Sequence, residues 1–447
     1  MDYVIHTRFS RIRTILALIR HCTARLKSHI GLVMLGILAI VLRTFYVSAT
    51  PYDRRTYDTE AHLEYVRWIL THWSIPKAAE GYEFYHPPVY HTLAALWSLA
   101  TGGWNGESLN TESLQVLSLL IACATVVVII LIAVHLFSTP ETKCLRMPFA
   151  AVVFFLPGLV LFSSRLNNDS LAALFQFVAM LCLLRWWKYP EKQMRWYLCI
   201  VFLGLGILTK MNTIVLGPLP FLCLFFLRHS TPNKKYMMIL GGILALLFLL
   251  CMPALRWILN GESPFRQMIP NVGVLGSLVL PPTELRHLIA FHPLRILEIP
   301  FNDNWDDNGN RMYVWDYLIR SALFGEWHHG PLLVFFAQIQ LFLALLLLIP
   351  IAWGIRKRFG VALSQDAPVA LIIPLFLIGE VLYRIHYPFS CSQDFRYVTF
   401  IALPMAYYLV RGIDSLPPVL RFRTMSLTWA FVGSAILFVL GLVTISG

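Results

Sequence analysis

Long apolar runs recur along the chain and alternate with short polar segments. Runs of about 18 or more apolar residues can cross roughly 30 Å of hydrocarbon as helices. Backbone groups in lipid must be satisfied within the segment, so these crossings are helical. Hydropathy places eleven spans, near residues 30–49, 113–137, 147–164, 168–186, 196–209, 213–228, 236–257, 331–353, 367–384, 396–411 and 425–446. The expected fold class is therefore all-α: a polytopic transmembrane helix bundle with juxtamembrane helices in its first outer loop. No repeat period emerges, and no Gly/Ser-rich or Pro-rich linker divides the chain. One membrane module is expected over residues 1–411, followed by a loop and last span over 412–447.

The loops between these spans sort by charge. Residues 1–29 and the loops beginning at Ser138, Arg185, Arg228, Gly354 and Val410 carry 21 Lys and Arg against five Asp and Glu. The rest of the chain carries 15 basic and 19 acidic residues. By the positive-inside rule the first set is cytoplasmic. That assignment requires the stretch VYHTLAALWSLATGG, at 89–103, not to cross. It is short for a span and suits a helix at the interface. Residues 50–112 and 258–330 then form two long loops on the outer side. The basic segment 9–27 reads as an interfacial helix on an anionic cytoplasmic leaflet. The first apolar segment ends in small residues, as a cleaved signal would. Its long basic leader and the interrupting Arg43 favour a retained span.

Composition narrows the functional classes. The chain has 447 residues, 57% of them hydrophobic and only 13% charged, which excludes a single soluble core. Its net charge of +12 resides largely in the cytoplasmic loops as a topology signal, so no nucleic-acid partner is implied. Of its eight cysteines, five fall inside expected spans and no pair has metal-ligand spacing, so no disulfide framework is expected.

Charge gathers where the chain leaves its first span, in YDTEAHLEYVRWILTHW at 57–73. On a helix, Asp58, His62, Tyr65, Ile69 and His72 share one stripe, and Glu60, Glu64 and Arg67 share another. The second stripe reads as a solvated face with a Glu64–Arg67 pair. Asp58 is either a helix cap or a base facing a pocket. Other outer segments supply Glu83 and His86 before a Pro-Pro, Arg165 and Asp169, Lys210, and Arg384, His386, Asp394 and Arg396. A single Arg at a span end usually snorkels, and the phrase NNDS is in itself a helix cap. Together these residues describe a mixed-charge pocket at one membrane face, with groups that accept protons and cations that hold phosphate.

Five phrases in order, namely an acid after the first span, HPPVY, RLNNDSL, GILTKMN and QDFRYVTF, carry a resemblance across most of residues 30–411. The chain resembles membrane-embedded GT-C-type glycosyltransferases of the protein O-mannosyltransferase and aminoarabinose-transferase kind. The resemblance implies transfer of a sugar, with inversion, from a polyprenyl-phosphate donor on the outer face. Asp58 matches the family's general base. The family often has two adjacent acids there, whereas Thr59 separates Asp58 from Glu60, which leaves the role open between them. The family's acid before the Pro-Pro phrase lies closer to the prolines than Glu83 does.

The expected catalytic residues are thus Asp58, Glu60 and Glu83, and the expected substrate contacts are His62, His86, Arg165, Asp169, Lys210, Arg384 and Arg396. The chain has no Gly-rich phosphate loop before a helix, as suits a donor carrying its own leaving group. A divalent metal could sit between Glu83, His86 and Asp58, although the spacing closes no ligand set. Expected partners are the lipid-linked donor, membrane lipids, and a glycan, lipid or protein acceptor. A bacterial inner membrane is favoured over the endoplasmic reticulum. The rival readings are a transporter of a lipid-linked or small polar substrate, or a non-catalytic subunit of the same fold.

Overall fold

The computed structural model describes residues 29–56, 58–227, 233–263, 279–280, 283–301, 310–325, 327 and 329–444. The expected interfacial helix at 9–27 lies outside these residues, as does part of the loop 258–330. The described chain is all-helical. Among the described residues, seven segments are long and apolar enough to cross a membrane. They are α1 (His29–Ser48), α4 (Thr111–Leu136), α7 (Asp169–Lys188), α10 (Lys234–Asn260), α14 (Pro331–Arg358) continued by α15 (Ala362–Gln365), the pair α16 (Ala367–Ala370) and α17 (Ile372–His386), and α19 (Pro418–Thr444). The chain is a polytopic integral membrane protein.

The remaining four expected spans are helical but short or broken. The first is split into α5 (Arg146–Phe154) and α6 (Pro157–Leu161). Leu156, preceding Pro157, is extended at φ −60° and ψ 117°, because proline crowds a helical residue before it. The break leaves the Phe154 carbonyl without a helical partner, and Arg43 of α1 donates to it at 2.9 Å. The arginine that interrupts the first apolar run thus repairs a broken neighbour. The next two are α8 (Met194–Ile207) and a 3-10 turn over Met211–Leu216 leading into α9 (Leu219–Phe226). The last is a series of 3-10 turns ahead of α18 (Ala402–Asp414).

In the first outer loop, α2 (Thr59–His72) and α3 (Val89–Ala100) pack together and on α4. At 12 residues α3 is too short to cross. Leu63, Val66 and Leu70 of α2 close on Ala94 and Ala95 of α3, Leu117 of α4 and Leu171 of α7, forming a small apolar core under the loop. In the second outer loop lie α11 (Leu285–Ile289), α12 (Pro293–Glu298) and α13 (Val314–Phe324).

The two sets of loops meet at opposite ends of the bundle. At one end, Gln115 donates to the carbonyls of Thr50 and Ser164 at 3.0 and 3.1 Å, and Asn212 to that of Tyr397 at 3.0 Å. At the other, Arg146 donates to the Phe137 carbonyl at 2.8 Å, and Trp187 to that of Gln365 at 3.1 Å. This is the same partition that charge gives.

Helices α14 and α18 cross closely. A Cβ on Gly354 would lie 2.0 Å from the Tyr408 carbonyl oxygen, and one on Gly412 would lie 1.9 Å from that of Pro350. Small residues allow such backbone approach where lipid supplies no hydrophobic drive between helices. Gly412→Val is therefore expected to destabilise by at least the roughly 1–3 kcal/mol of overpacking. Gly433→Ala, where a Cβ meets nothing within 4 Å, should leave stability unchanged. Thermal unfolding in detergent decides this, and equal midpoints for both variants would refute the close crossing.

Candidate active site

The outer end of the bundle gathers a set of ionisable side chains from five separate segments. Asp58 occupies the N-cap position of α2 with left-handed backbone (φ 62°), yet its carboxylate caps no helical N–H. It turns instead toward Arg396, with Oδ2 3.6 Å from Nη1. Arg396 follows Phe395 in a 3-10 turn opened by Asp394, whose Oδ1 accepts from the Arg396 N–H at 2.9 Å. The Arg396 Nε lies 3.7 Å from Asp394 Oδ2. Both ion-pair distances exceed a hydrogen bond, so the guanidinium is held by charge while its donors stay uncommitted.

Desolvation raises the Asp58 carboxyl above the ordinary Asp range, and the nearby Glu83 adds to this, while Arg396 pulls it back.

Two more buried cations face this group. Lys210, extended at φ −150° and ψ 124° between α8 and the next turn, pairs with Asp169 at the start of α7. Lys210 also lies 4.7 Å from the Tyr397 ring centre. Asn167 donates to Asp169 Oδ2 at 2.9 Å, and Asn168 reaches the Thr209 carbonyl at 3.1 Å. The phrase NNDS therefore ties two loops together rather than capping α7 with the Asn168 side chain. Arg165 lies between Phe162 and Trp327, 5.3 and 4.9 Å from their ring centres.

Glu83 and His86 stand in the irregular segment between α2 and α3. Tyr65 donates to the His86 carbonyl at 3.3 Å, and Arg256 of α10 donates to the Phe84 carbonyl, which fixes this segment on both sides. Glu83 Oε2 approaches His86 Nε2 at 2.6 Å. The contact lacks hydrogen-bond alignment, and Glu83 Oε2 and His86 Nδ1 remain without a hydrogen-bond partner. His62 on α2 shares a hydrogen bond with His91 of α3, Nδ1 to Nε2, at 3.0 Å. Burial, with His91 and His86 beside it, holds the His62 pKa well below the ordinary range, so the ring is neutral. His62, Glu83 and His86 could together hold a cation, since one ligand atom from each lies within 4.8 Å of the others.

Residues 85–257 match the sequence profile of the dolichyl-phosphate-mannose-protein mannosyltransferase family. Among solved structures, the chain is similar to ArnT from Cupriavidus metallidurans bound to undecaprenyl phosphate, at 14% identity and a TM-score of 0.50. That match covers 88% of this chain and 61% of ArnT. It is also similar to the archaeal oligosaccharyltransferase AglB from Archaeoglobus fulgidus, in complex with an inhibitory peptide and a dolichol-phosphate. There the identity is 11% and the TM-score 0.48, over 93% of this chain and 56% of AglB. No curated protein sequence matches the chain. The GT-C resemblance holds.

The mannosyltransferase profile takes in the HPPVY phrase, Arg165, Asp169 and Lys210, whereas Asp58, Glu83 and Arg396 lie outside it. For these three the placement rests on geometry. Glu60 is 67% exposed and lies 3.6 Å from Arg67, away from the pocket. The pair expected between Glu64 and Arg67 is thus replaced by one between residues seven apart, and Glu64 is exposed. Arg384 is wholly buried on α17 with all three guanidinium nitrogens free of hydrogen bonds. The charge it faces is Glu380, one turn back. No ion pair joins Arg384 to Asp58 among the described residues.

Sequence reasoning overlooked His91 and Tyr397. His91 sits one position beyond the HPPVY phrase, on the face of α3 that also buries Ala94 and Ala95, and a polar residue on an apolar stripe was the available signal.

Removing one member of the buried Lys210–Asp169 pair leaves an uncompensated charge, at a cost of about 3–5 kcal/mol. Asp169→Ala should therefore destabilise strongly, and the double change Asp169→Leu with Lys210→Met should recover most of the loss. Unfolding midpoints of the single and double variants check this, and additive losses would disprove the coupling.

Proposed function

We propose that this chain is a membrane glycosyltransferase that moves a sugar, with inversion, from a polyprenyl-phosphate carrier to an acceptor hydroxyl. The observation that carries the reading is the approach of Asp58 to Arg396 beside an apolar cavity. That cavity, of about 570 Å³, opens between spans and is lined by Val152, Trp315, Leu347, Phe395 and Met405 among others. Phe395 belongs to it, and the adjoining Arg396 belongs to the charged pocket, so lipid and polar environments meet at one residue step.

The chemistry follows from these positions. The Asp58 carboxylate takes the proton of the acceptor hydroxyl, whose oxygen attacks the anomeric carbon opposite the phosphate. The bond from that carbon to the phosphate oxygen breaks, and the carrier leaves with an additional negative charge. Fixed cations aimed at that growing charge lower the barrier. Arg396 and Arg165 are suited to this, since Lys210 is already committed to Asp169. Glu83 is placed to hold a cation or to orient Asp58 through charge rather than to act as a second base. A charge bias that puts the basic loops in the cytoplasm puts this pocket on the outer face, as in a bacterial inner membrane. The acceptor is a protein, lipid or glycan hydroxyl.

Turnover of a polyprenyl-phosphate-linked sugar by the purified chain tests the proposal. Asp58→Asn should fall about 10²–10⁴-fold while remaining folded, because a base acting in the transition state contributes that much. Exposed Glu64→Gln should keep its rate. Arg396→Lys should recover only part of the loss in Arg396→Ala, because the planar fork is gone. Only the deprotonated base works, so activity should fall as pH drops through the Asp58 pKa. With that pKa raised, the acidic limb should lie above the usual carboxylate range. An active Asp58→Asn beside a dead Glu60→Gln would move the base to Glu60. If neither carboxylate affects turnover, the transferase reading fails.

A further inference from the structure

We propose that the outer end of α10 is a clamp that sets the Glu83–His86 segment against the Asp58 pocket, with Arg256 and Glu262 as its positioning residues. Within the membrane α10 is loosely held. Only 11% of its apolar stretch is buried inside the protein, the smallest share among the seven long segments. Its outer end is different. Met252 is buried in a small apolar cluster with Ile75 and Leu208, joined by Val89 and Leu255. Above this seat, three polar side chains grip the segment that follows α2. Asn260 donates to the Ile75 carbonyl at 3.2 Å, Glu262 Oε1 accepts from the Ala78 N–H at 3.0 Å, and Arg256 donates to the Phe84 carbonyl. Glu262 reaches its place because Gly261 takes left-handed backbone (φ 66°), which suits glycine. The chain thereby folds back, and the Glu262 N–H donates to the Arg256 carbonyl at 3.3 Å.

The gripped segment forms only turns between α2 and α3, so its backbone groups depend on these side chains for partners. The grip is also left partly open. Arg256 Nη1 stands 3.7 Å from Glu262 Oε2, too far for a hydrogen bond, and both atoms are buried without a hydrogen-bond partner. Pro253, one turn before Arg256, removes a helical hydrogen bond, which lets the outer turns of α10 tilt on the rest of the helix. Glu83 adjoins the Phe84 grip, and its charge reaches Asp58 across the pocket. Movement of the clamp therefore moves Glu83 relative to the base. Arg396 and Arg165 stand on other segments and keep their hold on a donor phosphate. Loss of the clamp should thus slow the chemical step and spare donor binding.

The clamp stands on these contacts, and its effect on rate rests on the transferase reading. Two measurements on the full chain in detergent test it: amide hydrogen exchange over residues 75–86, and turnover of a polyprenyl-phosphate-linked sugar. Arg256→Ala and Glu262→Ala should lose exchange protection at 75–86 while α2 and α3 keep theirs. Both should lower kcat by about 10²-fold at unchanged KM, as a misplacement of about 1 Å does. Arg256→Lys keeps a donor for Phe84, and Glu262→Gln keeps an acceptor for Ala78, so each should recover part of the rate. Leu259→Ala, exposed on the same turn, should change neither measurement. If Arg256→Ala fails to fold, half-buried Glu262 carries the test. Unchanged exchange at 75–86 in folded Glu262→Ala overturns the clamp. So does a loss of protection spread over α2 and α3, or a raised KM with intact kcat, since either marks a role other than positioning. If the unaltered chain turns over no donor, the transferase reading fails, and exchange alone still decides the clamp.

Discussion

Charge buried at the edge of hydrocarbon has to be compensated within the fold, because two unit charges about 4 Å apart in a medium of effective dielectric near 20 interact by roughly 4 kcal/mol. Here the partners come from segments distant in sequence. Asp58 opens the first outer loop and meets Arg396 of the last, while Asp169 at the start of α7 meets Lys210 beyond α8. None of these pairs forms until the helix ends have come together.

The same constraint explains why the irregular backbone collects at this end. The 3-10 turns over Met211–Leu216 and Ser390–Ile401, and the loop bearing Glu83, would be untenable facing lipid. They are tolerated because side-chain amides and hydroxyls of neighbouring helices take up their free backbone groups. Asn168 serves Thr209, Asn212 serves Tyr397, and Ser118 serves Arg165 at 2.8 Å. Deeper in the bundle, Arg43 does likewise for the broken α5. Several polar residues at this end are thus spent on backbone groups of neighbouring segments.

Much of this was legible in the sequence. The long spans announce themselves by composition, and the charge bias of the loops anticipates which helix ends meet. The non-crossing α3 followed from that bias and from its length. The convergence of Asp58 and Arg396 was expected from their shared side. What stayed hidden are matters of local pairing. Proline at 157 and the 3-10 turns break spans that hydropathy reads as continuous, because hydropathy counts apolar residues and not backbone geometry. Helical spacing offered Glu64 to Arg67, but the structure pairs Arg67 with Glu60, two turns back. Spacing cannot show that Asp169 claims Lys210, since 41 residues separate them. Arg384, one of four cations read as phosphate ligands, faces Glu380 instead, because α17 turns it inward.

Charge balance connects the site to its proposed chemistry. Four carboxylates (Asp58, Glu83, Asp169 and Asp394) face three cations (Arg165, Lys210 and Arg396), which leaves one negative charge in excess when all are ionised. That excess is why burial and Glu83 together push Asp58 toward its neutral form. A phosphodiester donor carries a single further negative charge. Arg396, held at 3.6 and 3.7 Å and therefore loosely, is the cation that can turn toward the phosphate. In the proposed transfer, the departing carrier gains a second negative charge, and Asp58 loses one by accepting the acceptor's proton. The site is therefore arranged so that transfer redistributes charge between its two faces without changing the total. This is the condition a low-dielectric pocket imposes on any reaction carried out beside a membrane.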